Sequence, residues 1–213
     1  QRVEGQLGQQ SRAFGVEPGA KLILVTGRLL RRKGHHLVVQ AVHRLKQMGL
    51  KDFVCVFAGE DHGKSRYTGE LWDLVLATKT ADVVRMTGPV DDLPAAYAAA
   101  SVVVSAATQD EGLQRTILEA QAMARPVIVS DLGAGPEVVL APPSVSEDRM
   151  TGLRFSAGDD AALAAALIRL FSLPEPARRA IGARGRDWVT SHFDASAIAD
   201  LTLKLYAEAA RSR

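Results

Sequence analysis

The chain has 213 residues, 26 basic and 24 acidic side chains, 47% hydrophobic content and a single cysteine. That length supports a real core without metals or disulfides, and 23% charged residues argue against disorder. A formal net charge of +2 does not call for a nucleic-acid partner, and one cysteine excludes any disulfide or thiolate cluster.

In chain order, Gln1 to Gly15 carries few core residues and reads as a linker end or short cap. Lys21-Leu-Ile-Leu-Val-Thr26 is an apolar run closed by Gly27, as expected of a strand buried on both faces. A helix follows over His35 to Met48, with Leu37, Val38, Ala41, Val42 and Leu45 at helical spacing and Gly49 as its stop. The pattern then repeats: strand Asp52 to Ala58 (with Cys55 as a buried apolar residue), helix Tyr67 to Thr78, strand Val83 to Met86, helix Asp92 to Ala99. Strand Val102 to Val104, helix Leu113 to Ala124 and strand Pro126 to Val129 complete it. Five strands alternating with helices predict a doubly wound, mostly parallel α/β sheet with ligands beyond the carboxyl ends of its strands. Ala141 to Ser146 reads as a surface excursion and Gly152 to Phe155 as a last short strand. The remainder reads as helices over Ala161 to Phe171, Pro176 to His192 and Ala195 to Ala210.

Three stretches at strand ends carry candidate chemistry. Gly27-Arg28-Leu-Leu-Arg31-Arg32-Lys33-Gly34 places four cations in six residues at the entry to a helix, a pattern suited to a diphosphate or to a solvated basic turn. It is neither a Gly-x-Gly-x-x-Gly turn nor a Walker loop. In Asp110-Glu111-Gly112-Leu113…Glu119, Gly112 allows close backbone approach, and eight helical residues separate the acids by about 12 Å. That exceeds the roughly 5–9.5 Å of a hydrolytic carboxylate pair. Glu111 and Glu119 therefore hold two ends of one elongated ligand, or are a dipole partner and a solvated helix residue. Ser130 to Glu137, with Gly133 and Gly135, reads equally as a tight turn or a ligand contact.

The five histidines show no ligand-like spacing, no two aspartates are spaced two apart, and no nucleophile elbow is present, so no metal site is expected. The Arg-rich stretch Ala177 to Arg186 reads as a solvated helix face, with membrane-surface contact as the alternative. Without a signal peptide or a bilayer-length apolar run, a cytoplasmic chain is expected, peripheral to the inner face of the membrane at most. A start at Gln1 rather than Met suggests a piece of something longer.

Taken in order from Ser11 to Arg213, Gly27-Arg28…Lys33-Gly34, Gly88…Tyr97…Ser101 to Ser105, Glu111-x7-Glu119, Pro126 to Asp131, Gly133…Glu137 and Gly152 to Asp160 resemble the donor-binding, C-terminal half of a family 4 glycosyltransferase of the GT-B type. The resemblance implies a Rossmann-like domain over residues 21–192, a linker end over 1–20 and a crossover helix over 193–213. It implies that Arg28 and Lys33 hold the donor diphosphate and that Glu111 contacts the donor sugar. Glu119 would grip the ribose, the amides of Gly112 and Leu113 beside Gly27 would complete the phosphate site, and the main chain at Arg85 and Met86 would meet the base. The implied activity is retaining, metal-independent hexose transfer from a nucleoside-diphosphate sugar, without a cofactor, in polysaccharide or lipopolysaccharide synthesis. The acceptor would lie on an N-terminal domain absent from this chain, which would be inactive alone. A non-catalytic nucleotide-sugar module and a nucleotide-sugar epimerase are the competing readings. The chain departs from the family in carrying Leu113-Gln114 for Phe-Gly, Ala124 for Gly and Gly133-Ala134 for Gly-Gly.

Overall fold

The computed structural model describes residues 14–61 and 66–211. Six strands, β1 (Lys21–Thr26), β2 (Phe53–Ala58), β3 (Val84–Gly88), β4 (Val102–Ser105), β5 (Val127–Ser130) and β6 (Leu153–Phe155), form one sheet in the order β3-β2-β1-β4-β5-β6. Every pairing is parallel. The order reverses at β1 and β4, and such a reversal opens a crevice beyond the carboxyl ends of the two strands.

Strand periodicity sorts the core into two layers. Ile23, Val25, Cys55, Phe57, Val104 and Phe155 face α1 (His35–Gln47), α2 (Arg66–Ala77) and α6 (Asp160–Ser172). The alternate residues Leu22, Leu24, Val54, Val56, Val103 and Val129 face α3 (Leu93–Ala99), α4 (Arg115–Ala122) and the short α5 (Gly135–Val138). Burial pushes the Cys55 thiol pKa up, as expected of an apolar core residue. Each large side chain so buried contributes about 1.5–3 kcal/mol, against about 0–1 kcal/mol for an exposed ion pair, so the two apolar layers hold the fold.

The predicted elements lie close to the observed ones. β3 runs two residues further than expected and ends at Gly88. Helix α4 starts at Arg115, not Leu113, and stops at Ala122. Residues 1–13 of the expected linker lie outside the described residues, but Phe14 and Val16 are buried in the second layer. The sparse core expected up to Gly15 therefore does not extend to Phe14.

Helix α7 (Glu175–His192) packs on α4, and α8 (Ala195–Arg211) follows it. Ile198, Leu201, Leu203, Leu205 and Tyr206 of α8 are exposed. In the Arg-rich stretch, Arg184 donates to the Met150 carbonyl at 2.8 Å, Arg178 bonds the Leu173 carbonyl, and Arg179 pairs with Glu175 at 3.2 Å. Of these three, Arg184 ties α7 to the loop before β6, while Arg178 and Arg179 bond within or just ahead of the helix itself. Among the described residues no helix is long and apolar enough to cross a membrane.

Two features of the packing have measurable consequences. Ala124, just beyond α4, has a φ of +54°, a left-handed conformation that costs an L-residue roughly 1–2 kcal/mol. Ala124→Gly should raise stability by about 0.5–1 kcal/mol, the strain relieved less the extra freedom of an unfolded glycine. A thermal melt that stays the same or falls contradicts this. His35, at the start of α1, is fully buried with its ring edge-on to Phe57 at 5.1 Å. Burial, aided by the charges of His36 and Lys33 and partly opposed by the Leu30 carbonyl, pulls its pKa from 6.5 to about 4. Between those values the unfolded chain binds a proton that the folded chain does not, so stability falls as pH drops from 6.5 to about 4 and levels off below. Denaturant midpoints at pH 7 and pH 5 should show a smaller acid-induced loss in His35→Asn than in the parent.

Candidate functional site

The loops leaving β1 and β4 meet at the crevice. After β1, the Gly27 amide donates to the Ala58 carbonyl at 3.0 Å, and a 3-10 turn over Arg31–Lys33 leads to Gly34. Gly34 has a φ of +71°, and a Cβ there would lie 1.7 Å from the Ala106 carbonyl oxygen, so only glycine lets the two loops approach. From the β4 side, the Thr108 amide donates to the Arg32 carbonyl at 2.8 Å.

This arrangement sorts the four cations. Arg31 turns outward to pair with Glu70 and lies over the Tyr67 ring at 5.1 Å. Arg28 is exposed, with no ion pair among the described residues. Arg32 Nη1 and Lys33 Nζ converge on Glu111, donating to Oε1 at 3.0 Å and Oε2 at 2.7 Å. The Glu111 side chain is only 9% exposed, so its carboxylate faces its cations rather than water.

Glu111 is braced from behind by the third stretch. At Gly133, φ is +56°, and a Cβ would stand 2.7 Å from the Glu111 carbonyl oxygen. The Gly133 turn thus acts as a backbone support for the Glu111 loop. Gly112 and Leu113 lie in the turn ahead of α4 rather than in its first helical turn, and Leu113 is exposed. Gln114, the residue preceding α4, is buried, and among the described residues neither of its side-chain amide atoms has a partner.

Glu119 is anchored from the β1 side by Tyr97. The Tyr97 hydroxyl donates to Glu119 Oε2 at 2.9 Å and lies 3.2 Å from the Thr26 hydroxyl at the end of β1. Burial and the neighbouring Glu119 raise the Tyr97 pKa, so the phenol stays protonated and able to donate. Arg115 Nη2 stands 3.5 Å from the other Glu119 oxygen. Periodicity places Tyr97 in a helix but cannot reveal a partner 22 residues away.

Arg85 and Met86 lie within β3 opposite Val56 and Phe57. The Arg85 guanidinium bonds the carbonyls of Ala81, Asp82 and Val84, back toward the amino end of the strand. At the carboxyl end of β3, the Gly88 carbonyl accepts from the Gly59 amide that follows β2 at 2.9 Å. A cavity of about 420 Å³ between β6 and α6, lined by Arg154 and Arg169, contains none of the predicted site residues. One of about 280 Å³ lies beside Glu119, with Val189 and Phe193. Among the described residues no group of three His, Cys, Asp or Glu side chains is placed to hold a metal ion.

Comparison with known proteins gives the fold its family. A D-inositol 3-phosphate glycosyltransferase of Kineococcus radiotolerans is 33% identical over 210 residues, spanning 94% of this chain and 47% of the relative. A glycosyltransferase structure from Rickettsia africae superposes with a TM-score of 0.85 at 25% identity, covering 96% of this chain and 52% of that one. Anabaena HepE, solved in complex with UDP-glucose, has the same fold at a TM-score of 0.83 and 19% identity, over 96% of this chain and 53% of its own. The chain thus spans about half the length of these relatives. The family model described as Glycosyl transferases group 1 matches residues 20–172, and the chain belongs to that family and has its GT-B type of Rossmann-like domain.

Proposed function

We propose that this chain is the donor-binding domain of a glycosyltransferase that moves a hexose from a nucleoside-diphosphate sugar to a glycan or lipid-linked acceptor. The observation that carries this reading is the convergence of the β1 loop cations with Glu111 of the β4 loop at the point where strand order reverses. Relatives named as glycosyltransferases, and the UDP-glucose held by HepE, support it.

Each residue then has a task. Arg28 and Lys33 hold the diphosphate and stabilise the charge that develops on it as the glycosidic bond breaks. The amides of Gly112 and Leu113 add donors to the same phosphates, beside Gly27. Glu111 accepts from hydroxyls of the sugar, Glu119 from those of the ribose, and the main chain at Arg85 and Met86 meets the base. With cations and amides stabilising the leaving group, the reaction proceeds without a metal and with retention at the anomeric carbon. Transfer itself is assigned to the whole protein, because this chain spans about half of each relative. The exposed apolar residues of α8, among them Leu201, Leu205 and Tyr206, support packing of that helix on the other half.

Calorimetry with UDP, GDP and ADP should detect binding of at least one of them. Lys33→Ala should weaken that binding by roughly 1.5–3 kcal/mol, the range for a charged hydrogen bond. Unchanged affinity in Lys33→Ala removes the phosphate assignment.

A further inference from the structure

The place assigned to a diphosphate is held by a carboxylate, that of Glu111. Both Glu111 oxygens are engaged, by Arg32 Nη1 at 3.0 Å and by Lys33 Nζ at 2.7 Å. The backbones behind this clamp are fixed to each other through the Thr108 amide and the Arg32 carbonyl, through Gly34 against Ala106 and through Gly133 against Glu111. A ligand that takes Lys33 therefore meets a prepared frame, and only side chains have to exchange partners. Arg28, exposed and without an ion pair among the described residues, adds its charge on the side of an incoming anion and not on that of Glu111.

We propose that Glu111 is an internal competitor for the diphosphate seat and that this competition lets the site favour a sugar-bearing donor over the spent nucleoside diphosphate. The inference rests on the donor-binding reading above. When a diphosphate takes Lys33, Glu111 loses one of its two charge-assisted hydrogen bonds and is left close to a like charge. A donor offsets this loss, because its sugar hydroxyls donate to the released carboxylate. A nucleoside diphosphate without a sugar brings no such donors, so the return of Glu111 to Lys33 opposes its binding and hastens its release after transfer. Glu111 thus has two successive partners, Lys33 before the donor binds and the sugar afterwards.

The test uses inorganic pyrophosphate as a sugar-free probe, together with UDP against UDP-glucose and GDP against GDP-mannose, on the full 213-residue chain. Glu111→Gln should bind pyrophosphate about ten-fold more tightly than the parent, equivalent to about 1.4 kcal/mol. For whichever nucleotide binds, the preference for the sugar-bearing form over the diphosphate should fall by a similar factor. Glu111→Asp, which keeps the charge but is too short to reach both cations, should give a smaller gain for pyrophosphate, and melting curves of both variants check folding. If Lys33→Ala weakens pyrophosphate binding while Glu111→Gln and Glu111→Asp leave it unchanged or weaker, the competitor role is overturned and the donor site stands. If Lys33→Ala has no effect on pyrophosphate, the donor site itself fails and the competitor role falls with it.

Discussion

The carboxylate of Glu111, shared between Arg32 and Lys33, joins the two loops on which the site depends. One loop leaves β1 and the other leaves β4, and these neighbouring strands belong to opposite halves of a sheet that winds both ways from its centre. With parallel strands on either side, helices leave in opposite directions and the crevice between them is open by construction. A crevice lined with cations and closed by nothing would hold mutually repelling charges side by side. Glu111 neutralises part of that repulsion and draws the two loops into contact.

The fold and the clamp draw on different forces. The two apolar layers contribute far more free energy than a few partly exposed ion pairs, so the sheet does not need the clamp to form. The clamp instead fixes position, and small residues around it make that possible. Gly34 lets the β1 loop touch Ala106, and Gly133 backs the Glu111 main chain. Across the crevice, Tyr97 performs the corresponding task for Glu119 by linking it to Thr26 at the end of β1. Lys33, Glu111 and Glu119 are therefore held by main-chain contacts of their loops and by partly buried hydrogen bonds, whereas Arg28 stays exposed.

The strands were legible because burial on both faces leaves continuous apolar runs such as Leu22 to Val25 and Val54 to Ala58, each closed by a polar or glycine turn. The placing of Arg28, Lys33 and Glu111 beyond strand ends, and of Glu119 inside the helix that follows, came from such runs. Other features depend on distant partners and left no local mark. Nothing in Arg28 to Lys33 distinguishes Arg31, which turns away to Glu70, from Arg32, which turns in to Glu111, since those partners lie 39 and 79 residues away. Leu113, expected to open α4, stays exposed in the turn before the helix, which starts at Arg115. Phe14 stands in a polar segment, and most of the buried cluster that it joins comes from residues far along the chain. The orphaned side chain of Gln114 could be noted in the sequence only as an unusual residue at a family glycine.

A crystal structure of the chain with a bound nucleoside diphosphate tests the central claim most directly. Phosphate oxygens should stand within hydrogen-bond distance of Lys33 Nζ and of the Arg28 guanidinium, with the Lys33–Glu111 pair opened. A diphosphate bound elsewhere, such as in the cavity beside Arg154 and Arg169, with Glu111 still held by Arg32 and Lys33, would contradict it.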